Sequence, residues 1–451
     1  MRLFGPILPF LMICTVGVGA AAQTRVTVYE GDLALVSETR TLRIGAQQRE
    51  LVWPAVAARL DPGSTHLAVT AGEALAVLEE RFLPLPTTPL EMVRAYLGQP
   101  VEVRVPPNEW LEGRLEAIRQ GTLVLEQAGA RTLVPYGGDT LVRLPEAGLD
   151  TPPPPALIWQ IAAQDGGQRT LTLAYLTAGL TWTVDYFGEI NPAEDELLLS
   201  AKATLHNSSG KDFHEAEVTL AAGTVNNIAA PQPPAPVART AMTEATGGAM
   251  AAPAPQAMAD LHFYPLAQPL TLKDEAQAQR LLITPHRIPC QRAYRYRSHR
   301  HPKRVTTAVS FVNDKASGLD QPLPAGAWRL YRRSDQGLRF IGADRRPNAA
   351  RNAELTLELG QAFDLSAERR VLQRRKLSAR SDEQRVEITL SNGKRSGTVT
   401  IEVEERMARG QWEITQSSLA PKREDADTLV FEVPVPADAE TQLTYTVVRR
   451  W

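Results

Sequence analysis

Apolar residues recur at every second position in many short runs of this chain, and a 3.6-residue period is scarce. Leu171, Leu173 and Tyr175 alternate with Thr170, Thr172 and Ala174. Val386, Ile388 and Leu390, then Val399, Ile401 and Val403, then Leu429, Phe431, Val433 and Val435 repeat the pattern. A period of two places one set of side chains in a core and the other in water, as in antiparallel sheets. Turn-forming residues separate the runs, notably Asn207-Ser208-Ser209-Gly210 and Ser391-Asn392-Gly393-Lys394. The 34 prolines also suit many short strands and loops better than long helices. The fold class expected is therefore mostly β.

One helix stands out. Thr88 can cap it, Pro89 suits its first position, Leu90, Val93, Tyr96 and Leu97 share an apolar face, and Gly98 ends it. Five short strand candidates follow, over 101–105, 110–118, 121–126, 131–136 and 140–144. A helix followed by five such strands predicts a small barrel of the SH3 or Sm type, with glycines at the turns that let the sheet curl. Residues 150–155 are proline-rich and read as a stiff linker. Residues 228–260 are built of Ala, Pro, Gly, Gln and Met and cannot bury enough apolar surface to offset ordering, so a flexible linker is expected there. No fixed-period repeat suggests a solenoid or propeller.

A length of 451 residues calls for several domains. The division expected is a signal peptide over 1–22, an N-terminal β domain over 23–86, the helix and barrel over 87–150, a β-sandwich-like region over 156–227, the linker over 228–260, and a second β-sandwich-like region over 261–451. Met1-Arg2, the apolar stretch from Leu3 to Val18 and Ala20-Ala21-Ala22 form the three parts of a secretory signal cleaved before Gln23. Ile13 precedes Cys14, which argues against a lipoprotein signal. No later segment is long enough to span a bilayer, so an exported, periplasmic or extracellular chain without a transmembrane segment is expected. Cleavage leaves Cys290 alone, which excludes an intrachain disulfide and suggests a buried small hydrophobe.

Several separated motifs carry a family resemblance. They are Tyr175-Leu176-Thr177-Ala178-Gly179-Leu180-Thr181-Trp182 with Asp185-Tyr186, and Asn207-Ser208-Ser209-Gly210-Lys211-Asp212-Phe213 closing in Leu220-Ala221-Ala222-Gly223. Beyond the linker come Leu323-Pro324-Ala325-Gly326-Ala327-Trp328-Arg329-Leu330-Tyr331, Phe340-Ile341-Gly342, Leu359-Gly360 and Ala362-Phe363-Asp364-Leu365. In this order they resemble the bacterial family of domain of unknown function 4139, from roughly Leu157 to Trp451. The resemblance implies an exported β-sandwich protein and supplies no activity and no catalytic residue.

Motifs for chemistry are few. There is no Gly-x-Ser-x-Gly elbow, phosphate loop, His-Glu-x-x-His or Cys-x-x-Cys, so no cofactor and no catalytic residue is assigned. The 51 carboxylates are scattered, and a glycosidase pair can hide among them. Trp182, Asp185 and Tyr186 form an aromatic-carboxylate cluster able to stack and hydrogen-bond a sugar, although alternation keeps the three off one strand face. From His286 to Arg304 runs a basic stretch, in which Tyr294 and Tyr296 face one way and Arg295 and Arg297 the other. It can meet an anionic glycan or an acidic protein, or serve as a solvated strand whose arginines pair with carboxylates. A net charge of −2 and the compartment argue against nucleic acid. Met242, Met250, Met258, His262, His299 and His301 offer ligand types for copper without fixed geometry.

The reading is a non-catalytic interaction or scaffolding protein of the cell envelope. It holds an envelope protein or glycan on exposed sheet faces or edges. A carbohydrate-active hydrolase is the first alternative and a periplasmic copper-binding protein the second. Oligomeric state is not legible.

Overall fold

The computed structural model describes residues 23–86, 88–127, 129–145, 154–226, 256–258, 260–407, 410–423 and 427–451. The proposed signal peptide and most of the proposed linker lie outside these residues. The chain is mostly β, and among the described residues no helix is long and apolar enough to cross a membrane.

The first sheet runs in the order Gln256–Met258, Leu261–Pro265, Phe213–Ala222, Gln23–Tyr29, Ala34–Ile44, Gly167–Thr177 and His66–Ala71, with Leu270–Leu272 paired to Phe213–Ala222. A three-stranded sheet joins Glu50–Pro54, Ala156–Ala162 and Ala76–Leu83. Strands from 23–86 thus alternate in space with strands from 156–226, although the alternation pattern separates these stretches in sequence. Their side chains fill one core that includes Val26, Trp53, Trp159, Tyr175 and Trp182, joined by Trp328 from farther along the chain. Alternation specifies which face of a strand is buried but says nothing about its neighbour.

The antiparallel expectation also needs amendment. Gln23–Tyr29 pairs parallel with Phe213–Ala222, Leu180–Ile190 with Gly326–Ser334, and Gln291–Arg297 with Val399–Arg406. These sheets are mixed because each parallel partner arrives after a long excursion of the chain.

Between the paired strands Ala76–Leu83 and Ala156–Ala162 the chain leaves to build a curled five-stranded sheet with its own core of Val93, Tyr96, Val101, Leu115, Leu123 and Val134, among others. Thr88 caps the helix Pro89–Arg94, and Glu91 returns the bond to the Thr88 N–H. The helix stops three residues before Leu97, and turns carry the chain to Gly98 at φ +82°. Val93 and Tyr96 are buried while Leu97 is exposed. The strands are Pro100–Val105, Glu109–Arg119, Thr122–Gln127, Ala130–Pro135 and Leu141–Arg143. The last pairs with the first, and the sheet stays open between Ala130–Pro135 and Leu141–Arg143.

The remaining strands form two sheets. One runs Ala276–Pro289, Glu196–Asn207, Leu180–Ile190, Gly326–Ser334 and Gly337–Arg346. The other has nine strands and encloses a second large core around Tyr296, Val386, Ile401, Phe431 and Tyr445. Strand Glu354–Ser378 ties the two cores together. Leu355 and Leu357 enter the first, while Leu365 and Ala367 enter the second.

Candidate functional site

The two clusters singled out from sequence are taken up largely by the frame of the fold. Along Leu180–Ile190 the even-numbered side chains point inward. Trp182 is in the core at 6.5 Å from the ring of Tyr264, and Tyr186 stacks on Trp328 at 3.9 Å with the rings parallel. Burial raises the Tyr186 hydroxyl pKa well above its ordinary value, and the hydroxyl donates to Pro324 O at 2.8 Å. Asp185 faces the other way and pairs with Arg329 at 2.5 Å. The three residues do not converge.

In the basic stretch, the alternation holds and the free charge does not. Tyr294 and Tyr296 are buried, and burial pushes the Tyr296 hydroxyl up to about 12. Arg295 and Arg297 lie beside Glu402 and Glu404 of Val399–Arg406, which are their register partners in the parallel pair. Arg295 pairs with Glu402 at 2.8 Å, and Arg297 pairs with Glu404 at 2.5 Å and also with Glu358. Of the two readings of Tyr294–Arg297, the ion pairs agree with the strand whose arginines pair with carboxylates, since a distant acidic strand supplies the counter-charges. Arg300, Lys303 and Arg304 remain exposed in and beside the following turn.

Copper ligation is equally dispersed where it can be followed. Met242 and Met250 lie outside the described residues, and Met258 and His262 sit on paired short strands. Among the described residues no group of three His, Cys, Asp or Glu converges as a metal site. Cys290 is buried, and burial first, then the carboxylates of Asp195, Glu194 and Glu196, push its thiol up to about 11. Only the thiolate is a competent nucleophile. Alkylation by iodoacetamide in the native state is therefore expected to be slow at pH 7 and to accelerate about tenfold per pH unit toward 11. Mass spectrometry of timed samples would show this, and rapid labelling at pH 7 would contradict the burial.

The structure instead assembles a row of aromatic side chains on the outer face of the second five-stranded sheet, the one that contains Leu180–Ile190. Phe187 of Leu180–Ile190 stacks on Tyr331 of Gly326–Ser334, with ring centres 4.5 Å apart. Tyr331 meets Phe340 of Gly337–Arg346 edge to face at 5.5 Å. Phe187 is 37% and Phe340 59% exposed, and exposed Leu338 extends the patch. The row crosses three neighbouring strands, a span of about 10 Å at ordinary strand spacing. Ion pairs frame it: Asp185 with Arg329, and Glu189 with Arg333, whose second bond measures 2.9 Å. The Arg333 bond holds the Glu189 carboxyl below its ordinary range, so this acid of the frame stays a charged acceptor. Phe187 was visible in the sequence as the one aromatic among Thr183, Asp185 and Glu189 on a polar strand face. Tyr331 and Phe340 meet only through a register that shifts at a bulge between Leu330 and Tyr331.

A second unforeseen cluster is buried. The carboxylate of Glu38 receives Lys211 at 2.7 Å, Arg40 at 2.7 Å, the indole N–H of Trp53 at 3.1 Å and the hydroxyl of Tyr175 at 3.5 Å. Burial alone would raise the Glu38 carboxyl, but Lys211 and Arg40 hold it below its usual value. Burial depresses the ammonium of Lys211, and Glu38 only partly restores it. The Lys211 ammonium also donates to Ala55 O. The group locks the strand Ala34–Ile44 to the segment around Lys211.

Residues 171–451 match the family model described as a domain of unknown function, DUF4139. The chain belongs to that family. No curated protein matches it. The DUF4139 match takes in the whole aromatic row together with Tyr175 and Lys211, whereas Glu38, Arg40 and Trp53 come from the residues before it. The two parts of the chain are therefore joined through the buried carboxylate.

Proposed function

We propose that this is a non-catalytic interaction protein of the cell envelope that holds a glycan on the outer face of its five-stranded sheet. The supporting observation is the exposed row Phe187, Tyr331 and Phe340 within its frame of ion pairs. Exposed contiguous apolar surface marks interaction sites. Aromatic faces carry negative charge density that attracts the polarised C–H bonds of a sugar ring. Guanidinium donors and carboxylate acceptors alongside suit its hydroxyl groups. The sugar-stacking idea attached to Trp182, Asp185 and Tyr186 thus passes to other aromatics, with Asp185 retained at the border.

The wider architecture in this reading is a pair of β-sandwich-like regions bearing an inserted barrel of the SH3 or Sm type. Support for the barrel is the capped helix followed by five strands whose last lies beside the first. Export rests on the signal-like first 22 residues, and the glycan is accordingly one of the envelope.

The test is calorimetric titration of the mature chain with oligosaccharides released from peptidoglycan and lipopolysaccharide, with chromatography of the sugar afterwards. Tyr331→Ala with Phe340→Ala is expected to weaken binding about 5- to 150-fold, since such aromatic contacts contribute ~0.5–1.5 kcal/mol each. Absence of any saturable glycan binding would refute the reading. Shortened product would instead support the hydrolase.

A further inference from the structure

The structure holds a second feature, independent of the aromatic row. A cavity of about 160 Å³ opens where the five-stranded and nine-stranded sheets meet. Its floor is apolar, formed by Ile190, Val309, Ile341 and Leu359, with Thr307 and Gln361 as polar neighbours. Two guanidinium groups reach it from different sheets. Arg292, on Gln291–Arg297, meets one oxygen of Glu194 at 2.5 Å, and Arg332, on Gly326–Ser334, meets the other at 2.7 Å. The two guanidinium groups thus share one carboxylate.

Glu194 is held in place by its turn. Its φ is +63°, a left-handed conformation that costs a non-glycine residue about 1–2 kcal/mol and persists only where the surroundings impose it. The side chain of Asn191 supplies that constraint by accepting the N–H groups of Asp195 at 3.1 Å and Glu196 at 3.2 Å. Arg332 also donates to Pro192 O at 3.2 Å. Each guanidinium carries five N–H donors in a planar fork, so Glu194 and Pro192 leave donors to spare on both. A positioned pair of forks above an apolar floor recognises a planar anion with a compact hydrocarbon body.

We infer that this cavity binds a small organic carboxylate, with the carboxylate on Arg292 and Arg332 and the apolar part on Ile190, Val309, Ile341 and Leu359. The size is apt, because a buried apolar cavity of about 150 Å³ takes up a single benzene ring. Glu194 acts as the spacer that keeps the two forks apart and oriented.

Benzoate is the probe, titrated into the full chain by calorimetry. Benzyl alcohol serves as the uncharged analogue of the same body, and inorganic phosphate as the anion without one. Saturable benzoate binding is expected, about tenfold or more tighter than benzyl alcohol, with a similar loss for Arg332→Gln as a charge-assisted bond disappears. Ile341→Phe, which narrows the floor and leaves the ion pairs alone, should weaken benzoate and spare the melting temperature. The proposal fails if benzoate does not saturate, if benzyl alcohol or phosphate binds as tightly, or if both variants bind like the wild type. None of these outcomes bears on glycan binding at the aromatic row.

Discussion

Glu38→Gln is expected to lower the unfolding free energy by about 3–5 kcal/mol, the usual penalty for removing one partner of a buried ion pair. The carboxylate sits between Lys211 and Arg40 and also accepts the indole N–H of Trp53. An amide keeps the shape and leaves Lys211 buried without an anion. Arg40 is partly exposed and stacks on Trp53 at 4.4 Å, so it can turn toward water, whereas Lys211 cannot. Adding Lys211→Met should therefore recover more than half of the loss, since two neutral, well-packed side chains replace an unpaired charge. Urea unfolding of the four proteins in the cycle would measure both effects. Additive losses would show that the two residues do not act as a pair.

The same carboxylate predicts the acid limb of stability. Its folded-state pKa lies below the unfolded value of about 4.3, so the stabilisation is complete above that pH and is lost as pH falls through the folded value. Wild-type urea midpoints should drop across this window, and Glu38→Gln should lack that share of the drop.

What the sequence made legible follows from how local each feature is. The inserted five-stranded sheet was readable because its helix cap is a four-residue signal and its strands mostly pair with chain neighbours. The large sheets were readable only as strands. Gln23–Tyr29 finds Phe213–Ala222 across nearly the whole first half of the chain, and no alternation pattern encodes that choice. The same limit governs the sites. Tyr294 to Arg297 were placed on the correct opposing faces, yet the counter-charges that neutralise the arginines come from Glu402 and Glu404, about a hundred residues on. Phe187 was not singled out from the sequence, because its row depends on two further strands and a bulge. The motifs that carry the family resemblance turn out to hold the frame. Tyr175 and Lys211 grip Glu38, and Asn207 donates to Lys211 O at 2.8 Å and Leu272 O at 3.2 Å. Much of the signature identifies the fold because such residues hold its frame, whereas Tyr331 and Phe340, also within it, meet on the outer face of a sheet.

Gly179, in the first of those motifs, offers the sharpest test of that statement. It has φ +92°, and a Cβ there would lie 2.6 Å from Ser208 O and from Ser209 Cα. Both are backbone atoms, so relief requires the chain itself to move. Gly179 also receives the Ser208 N–H on its carbonyl at 2.6 Å and donates its own N–H to Asp32 at 2.5 Å, which joins three segments at one residue. Gly179→Ala is expected to cost about 2–5 kcal/mol, combining a left-handed penalty of ~1–2 with overpacking of ~1–3. Gly337→Ala is the matched control. Its φ is +105°, but no atom lies within 4 Å of the added carbon, so only the conformational part of about 1–2 kcal/mol applies. Thermal and urea unfolding of the two variants would separate backbone strain from close approach. Equal losses would mean that Gly179 matters for its φ alone, as any turn glycine does. A larger loss at Gly179 would mean that the motif records how tightly three turns must meet, and that the function must be sought on the surfaces this junction supports.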